Sequence, residues 1–171
     1  MTTLSLAATR RVFLLGLSAA ALVRSGAIAQ ADTPPSRPNF TGRWHIVPQA
    51  SDLHAKAPDD VVHIIEHKDP DLTIHSVHTI NGSTTASDLH YYTDGRVSRR
   101  ATAGVETETA AHWDGTALVI RTDGHNAGGE KFYGEARWSL SDDRQTLTIA
   151  TRLGGPRGDF ALKQVCARET T

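Results

Sequence analysis

The stretch VETETAAHWDGTALVIRTD, residues 105–123, alternates polar and apolar side chains on both sides of Asp114-Gly115. Successive side chains of an extended strand point to opposite faces, so this period of two marks a strand with one buried side. An Asx-Gly pair between two such runs is the strongest short-range hairpin signal. With a two-residue Asp114-Gly115 turn, Trp113 faces Thr116, Ala111 faces Leu118 and Thr109 faces Ile120. Apolar residues then meet on a single face, as a correct register requires.

The same pattern extends in both directions. Leu140 faces Leu147, Trp138 faces Ile149 and Ala136 faces Thr151 around Asp142-Asp143, and Ile65 faces Ile74 with His67 opposite Leu72 around Asp69-Pro70. Alternating segments fall at 41–47, 61–67, 72–80, 84–92, 96–102, 105–113, 116–123, 130–140, 146–152 and 159–167. Turn signals such as Asn81-Gly82, Asp94-Gly95, Gly128-Gly129 and Gly154-Gly155-Pro156 separate them. The expected fold is all-β, an antiparallel up-and-down meander of about 8–10 strands closed into a barrel, because closure removes exposed edges. A two-sheet sandwich is the alternative. The long break, Pro48 to Asp60, has room for a loop or a short helix.

The first 38 residues of the chain read differently. Thr9-Arg10-Arg11-Val12-Phe13-Leu14 sets two arginines directly before the apolar run Val12 to Val23. About a dozen residues are too few to span a membrane and suit the core of a signal peptide. Ala27-Ile28-Ala29 and Ala29-Gln30-Ala31 are both A-x-A cleavage sites. The paired arginines resemble the twin-arginine export motif. Arg10, Arg11, Ala29 and Ala31 therefore mark an export signal read by the twin-arginine translocase, with residues 1–31 removed. Residues 32–38 form a Pro-rich, poorly ordered lead-in, and 39–171 one barrel domain. The mature protein is expected in the periplasm or secreted.

Composition narrows the function classes. The full chain carries a net charge of −1, and removing residues 1–31 takes away Arg10, Arg11 and Arg24 and no acid, leaving about −4. No basic patch for nucleic acid is indicated, nor a stable membrane anchor. Cys166 is the single cysteine, so the domain has no internal disulfide and this residue reads as a small apolar side chain of the last strand.

Phe40-Thr41-Gly42-Arg43-Trp44 opens the first strand. This G-x-W at the head of a long meander resembles the calycin group, the lipocalins and fatty-acid-binding proteins. The resemblance implies that Trp44 plugs the closed end of the barrel and that Arg168, from the last strand, packs on it. From Asn39 onward the chain also resembles uncharacterised exported bacterial proteins with an N-F-[ST]-G-x-W opening and a later E-H-K-D-P turn, here Glu66 to Pro70.

Nine histidines are the main oddity of the composition. No zinc-type spacing occurs among them. His63 and His67 share a face but stand about 13 Å apart along an extended strand, whereas His63 opposite Ser76 brings His78 within roughly 7–8 Å as a diagonal neighbour. Ile65, Leu72 and Ile74 share that face, which points it inward. Two imidazoles can meet a ligand, but they are too few for a closed metal site, so haem or metal ranks low and no cofactor is expected. His45, His90 and His112 are expected to be exposed. A three-residue Thr93-Asp94-Gly95 loop would bring Val97 and Arg99 opposite Leu89 and Tyr91, and Thr109 also points inward. An inward Arg99 needs a partner, either a ligand carboxylate or Glu108. The tentative ligand-binding residues are thus His63, His78, Tyr91, Arg99 and Thr109.

No nucleophile motif or convergent acid pair is present, so no catalytic residue is assigned. The leading expectation is a periplasmic protein binding a small, partly apolar ligand inside a lipocalin-like barrel. The alternatives are an interaction or structural module with a filled barrel and, behind it, a calycin-type enzyme using inward histidines.

Overall fold

Ten strands carry the alternation, and the computed structural model describes them within residues 36–53 and 58–170. Arg10, Arg11, Ala29 and Ala31, most of the lead-in and part of the 48–60 loop lie outside the described residues. The strands are β1 (Gly42–Ile46), β2 (Asp60–Lys68), β3 (Asp71–Ile80), β4 (Ser83–Tyr92) and β5 (Val97–Thr102), followed by β6 (Val105–Asp114), β7 (Ala117–His125), β8 (Lys131–Leu140), β9 (Thr146–Gly154) and β10 (Phe160–Arg168). A single 3-10 turn, Pro48–Ala50, follows β1.

All pairings are antiparallel, and β1 joins β2 on one side to β10 on the other. The sheet order is β4-β3-β2-β1-β10-β9-β8-β7-β6-β5. Inward residues from strands far apart in this order, among them Trp44, Leu72, Ile74, Leu118, Ile120, Trp138 and Leu147, form one buried cluster. The sheet therefore wraps onto itself as a nearly closed up-and-down barrel rather than a two-sheet sandwich. Its seam lies between β4 and β5, the two ends of the order.

The β8–β9 and β2–β3 hairpins adopt the expected registers, with Trp138 opposite Ile149 and Ile65 opposite Ile74. The β6–β7 hairpin differs. Its pairs are Asp114–Ala117, Trp113–Leu118, Ala111–Ile120 and Thr109–Thr122, a shift of two positions. Gly115, at φ +63°, takes the first central position of the turn instead of the second. Glycine takes such a φ at no steric cost, and a turn led by Gly115 spares Asp114 the positive φ that an Asp114-Gly115 type I′ turn would require of it. A shift of two preserves the faces, and the apolar side stays buried.

The expected β4–β5 hairpin does not form. The backbone N–H of Thr93 donates to Pro70 O (2.8 Å) and that of Gly95 to Ala111 O (2.8 Å). The loop is thus tied to the β2–β3 turn on one side and to β6 on the other, and the two strands part. Pairing β5 to β6 instead sets Arg99 opposite Glu108 and Arg100 opposite Thr107. Thr107 shares the inward face of β6 with Thr109 and Ala111, so Arg100 is inward and Arg99 outward. This corrects the expectation for Arg99.

Candidate functional site

One end of the barrel is packed shut. Phe40 and Trp44 are fully buried. The Phe40 ring stacks on Trp113 with centroids 5.9 Å apart and meets Trp138 edge-on at 5.7 Å. Trp44 Nε1 donates to Phe40 O at 2.9 Å, which satisfies the buried indole. The Arg168 guanidinium lies 4.1 Å from the Trp44 ring centroid and donates to Thr41 O (2.7 Å) and Arg144 O (2.9 Å). Gly42, at φ +151°, leaves the space that this guanidinium fills. The G-x-W opening and the last strand are thereby joined.

His67 belongs to this end. The Phe40 backbone N–H donates to His67 Nδ1 (3.3 Å), which leaves the ring proton on Nε2 facing Asp69 Oδ1 at 2.9 Å. Burial pushes the Asp69 carboxyl up, but hydrogen bonds from Thr93 and His67 outweigh it and hold the group below the usual carboxylate range. Cys166 is fully buried here, and burial raises its thiol pKa to about 11, so it stays protonated and inert.

Farther along the same strands the interior opens. A cavity of about 310 Å³ is walled by Ile74, Leu89, Ile120, Ile149, Leu153 and Trp138, with His63, Ser76, Tyr91 and Gln164 among its polar members, beside Thr122, Thr151 and Glu135. The inward series of β8 explains the space. Phe132, Gly134, Ala136 and Trp138 run from mouth to closed end, and the two middle residues are too small to reach the axis. A volume near 300 Å³ lies at the lower bound for small-molecule sites, and the apolar wall with few polar groups matches their usual make-up.

His63 is the buried polar centre of this cavity, with 6% of its surface exposed. Its Nδ1 lies 2.8 Å from Ser76 Oγ, while Nε2 is buried with no hydrogen-bond partner. Burial lowers the imidazole pKa, the neighbouring His78 lowers it further, and Gln164 offsets part of this. The ring is therefore neutral at neutral pH. Tyr91 is likewise held protonated by burial, with Arg100 opposing weakly from the mouth.

The tentative ligand residues separate on inspection. His63 and Tyr91 line the cavity. His78 meets His63 edge-on with ring centroids 6.0 Å apart, one step nearer the mouth. Thr109 points inward, but its hydroxyl is engaged with Thr122 at 3.0 Å, and Thr122 is the one that borders the cavity. Arg99 stands outside, 2.6 Å from Glu108. His90 is exposed and His45, expected to be exposed, is half-buried; they face the carboxylates of Asp71 and Glu169 respectively. Among the described residues no three His, Cys, Asp or Glu side chains converge as a metal site.

Sequence reasoning missed Gln164, Gly134 and Ala136. The two small residues carry a readable signal, since small side chains at inward positions of a strand leave room. Gln164 carries none, because its approach to His63 depends on how β10 and β2 flank β1. A wider hollow of about 570 Å³ lies beside the β5–β6 hairpin. Its walls combine Ala101, Gly124 and Phe132 with Arg99, Glu108, Asp123 and Lys131, an exposed set of both signs already partly paired.

No family model matches the sequence, and no curated protein does either. Solved structures do match. The zebrafish ileal bile acid-binding protein complexed with cholic acid aligns at TM-score 0.50 and 15% identity, over 76% of this chain and 98% of that one. The fold is calycin-like. Human cRBP IV aligns at 0.51 and 12% identity, covering 77% of this chain and 99% of that one. A secretory abundant heat soluble protein from Ramazzottius varieornatus aligns at 0.51 and 10% identity, covering 80% and 100%. Identities this low speak to the shared calycin-like architecture alone.

Proposed function

We propose that this chain is an exported periplasmic protein that holds a small, partly apolar ligand inside its barrel. The observation that carries the reading is the interior cavity of about 310 Å³, apolar in its walls and centred on a buried histidine. A filled barrel would have no such space, so the cavity favours ligand binding over the interaction module. The similarity to a protein crystallised with cholic acid supports the same reading. Export rests on Arg10-Arg11 and the A-x-A sites that follow the apolar run.

Native mass spectrometry of protein purified from its own periplasm tests the binding half. A co-purified organic molecule, or saturable uptake of an apolar fluorophore displaced by such a molecule, is the expected result. An empty protein that takes up no apolar probe overturns it. The export half is tested by changing Arg10 and Arg11 together to lysine. The precursor is expected to remain in the cytoplasm, and unchanged periplasmic yield rejects the twin-arginine route.

A further inference from the structure

The polar groups of the cavity select among ligands. His63 Nε2 is a buried hydrogen-bonding atom with no partner, on a wall of the cavity. Such an atom has lost its hydration on folding, and the Gln164 side chain, close enough to act on the ring, makes no bond of good geometry to it, so a group placed inside the barrel can complete the bond. Its environment contains no fixed positive charge. The cavity wall has no lysine or arginine, and its one charged member, Glu135, is 2.7 Å from Arg121 on the outer surface. Arg100 is exposed at the mouth, beyond Tyr91. His63 is neutral, held so by burial and by His78.

A carboxylate brought to His63 would lie in an apolar interior without a counter-charge, which disfavours its entry. An ammonium group would meet only Glu135, whose carboxylate is already paired with Arg121 on the outer surface. An uncharged oxygen loses little on entering and gains the open bond. A hydroxyl suits either tautomer of His63, because it both donates and accepts, whereas a carbonyl suits only the form with Nε2–H. At the ~30 Å³ that one water occupies in the liquid, the cavity holds on the order of ten non-hydrogen atoms.

We propose that the barrel takes an apolar ligand of about this size whose polar group is uncharged, an alcohol or a carbonyl, and that His63 Nε2 receives that group. The inference rests on the binding function proposed above and adds the class of ligand and the residue that selects it.

Decan-1-ol, decan-2-one, decanoate and decylamine, matched in chain length, form the test panel with the mature wild-type protein at pH 7.5. Displacement of an apolar fluorophore gives the affinities. The alcohol is expected to bind at least ~tenfold more tightly than decanoate and decylamine, the scale of one unmet buried charge. His63→Leu should remove most of that preference by weakening the alcohol, and His63→Gln should retain part of it. Decanoate binding as tightly as decan-1-ol overturns the inference while leaving the binding function intact, since the acid would then sit head-outward towards Arg100. Equal alcohol affinity in wild type and His63→Leu overturns the role of His63. Failure of all four compounds to bind sinks both the inference and the function beneath it.

Discussion

The two ends of this barrel are made from the same strands by the same alternation, yet one is solid and the other hollow. At the closed end the inward side chains include Phe40, Trp44, Trp113, Trp138, Leu118 and Leu147, and His67 and Trp113 stack on Phe40 while Trp138 meets it edge-on, all at 5.6 to 5.9 Å. Towards the mouth the inward positions hold Gly134, Ala136, Thr122, Ser76 and His63. Several of these side chains are small, and the space they leave is the cavity. Stability is thereby concentrated at one end and recognition at the other. That separation can be broken from either side.

The largest effect is expected at the closed end. Trp44→Ala removes a fully buried indole together with its hydrogen bond and its arginine contact, and should cost about 3–5 kcal/mol. Urea unfolding of wild type and variant measures it, and a cost below about 1 kcal/mol would mean that the plug does not hold the barrel. Cys166 supplies an independent reporter, because its thiol should react with a disulfide reagent only as fast as that end opens.

Next comes the hollow end. Ala136→Leu places a larger side chain in the cavity beside Ile120 and Thr151, and should weaken ligand uptake by at least ~tenfold while changing stability by less than about 1.5 kcal/mol. Fluorophore titration and urea unfolding on the same sample separate the two. A large loss of stability without loss of binding would reverse the assignment of roles to the two ends.

Arg168→Ala should produce a smaller effect. It removes the guanidinium over Trp44 and two hydrogen bonds to backbone oxygens, for a loss of about 1–2 kcal/mol in unfolding free energy. Arg168→Lys keeps the charge but not the planar fork, and should recover less than half of the loss. Full recovery by lysine would show that charge alone matters there.

The smallest effect is a pH dependence from His63. Its folded pKa lies below the ordinary value of 6.5, so between that value and the folded one the unfolded chain binds more protons. Its contribution is present above pH 6.5 and is lost as pH falls through the folded pKa. The difference in stability between wild type and His63→Gln should therefore shift in favour of the variant as the pH falls below 6.5. A difference independent of pH would mean that His63 titrates as it does when unfolded.

Much of this architecture is legible in the chain, for a reason visible in particular residues. The pleat has a period of two and a hairpin is local, so Trp138 had to oppose Ile149 and Ile65 had to oppose Ile74 once their turns were recognised. His63 beside Ser76, with His78 on the diagonal, follows from the same arithmetic. The method fails where a turn signal does not make a hairpin. Asp94-Gly95 reads like Asp114-Gly115, yet one parts two strands and the other joins them.

By itself, then, the sequence determined the strands, the registers of the β2–β3 and β8–β9 hairpins and the inward face of each continuous hairpin, because these depend on neighbours a few residues away. Closure of the barrel decided the rest. It chose β4 and β5 as the edges, turned Arg99 to solvent and Arg100 inward, brought Gln164 of β10 near His63 of β2, and matched small residues from several strands at one depth to make a cavity. Those outcomes depend on which strands meet across the interior, and no local periodicity encodes that meeting.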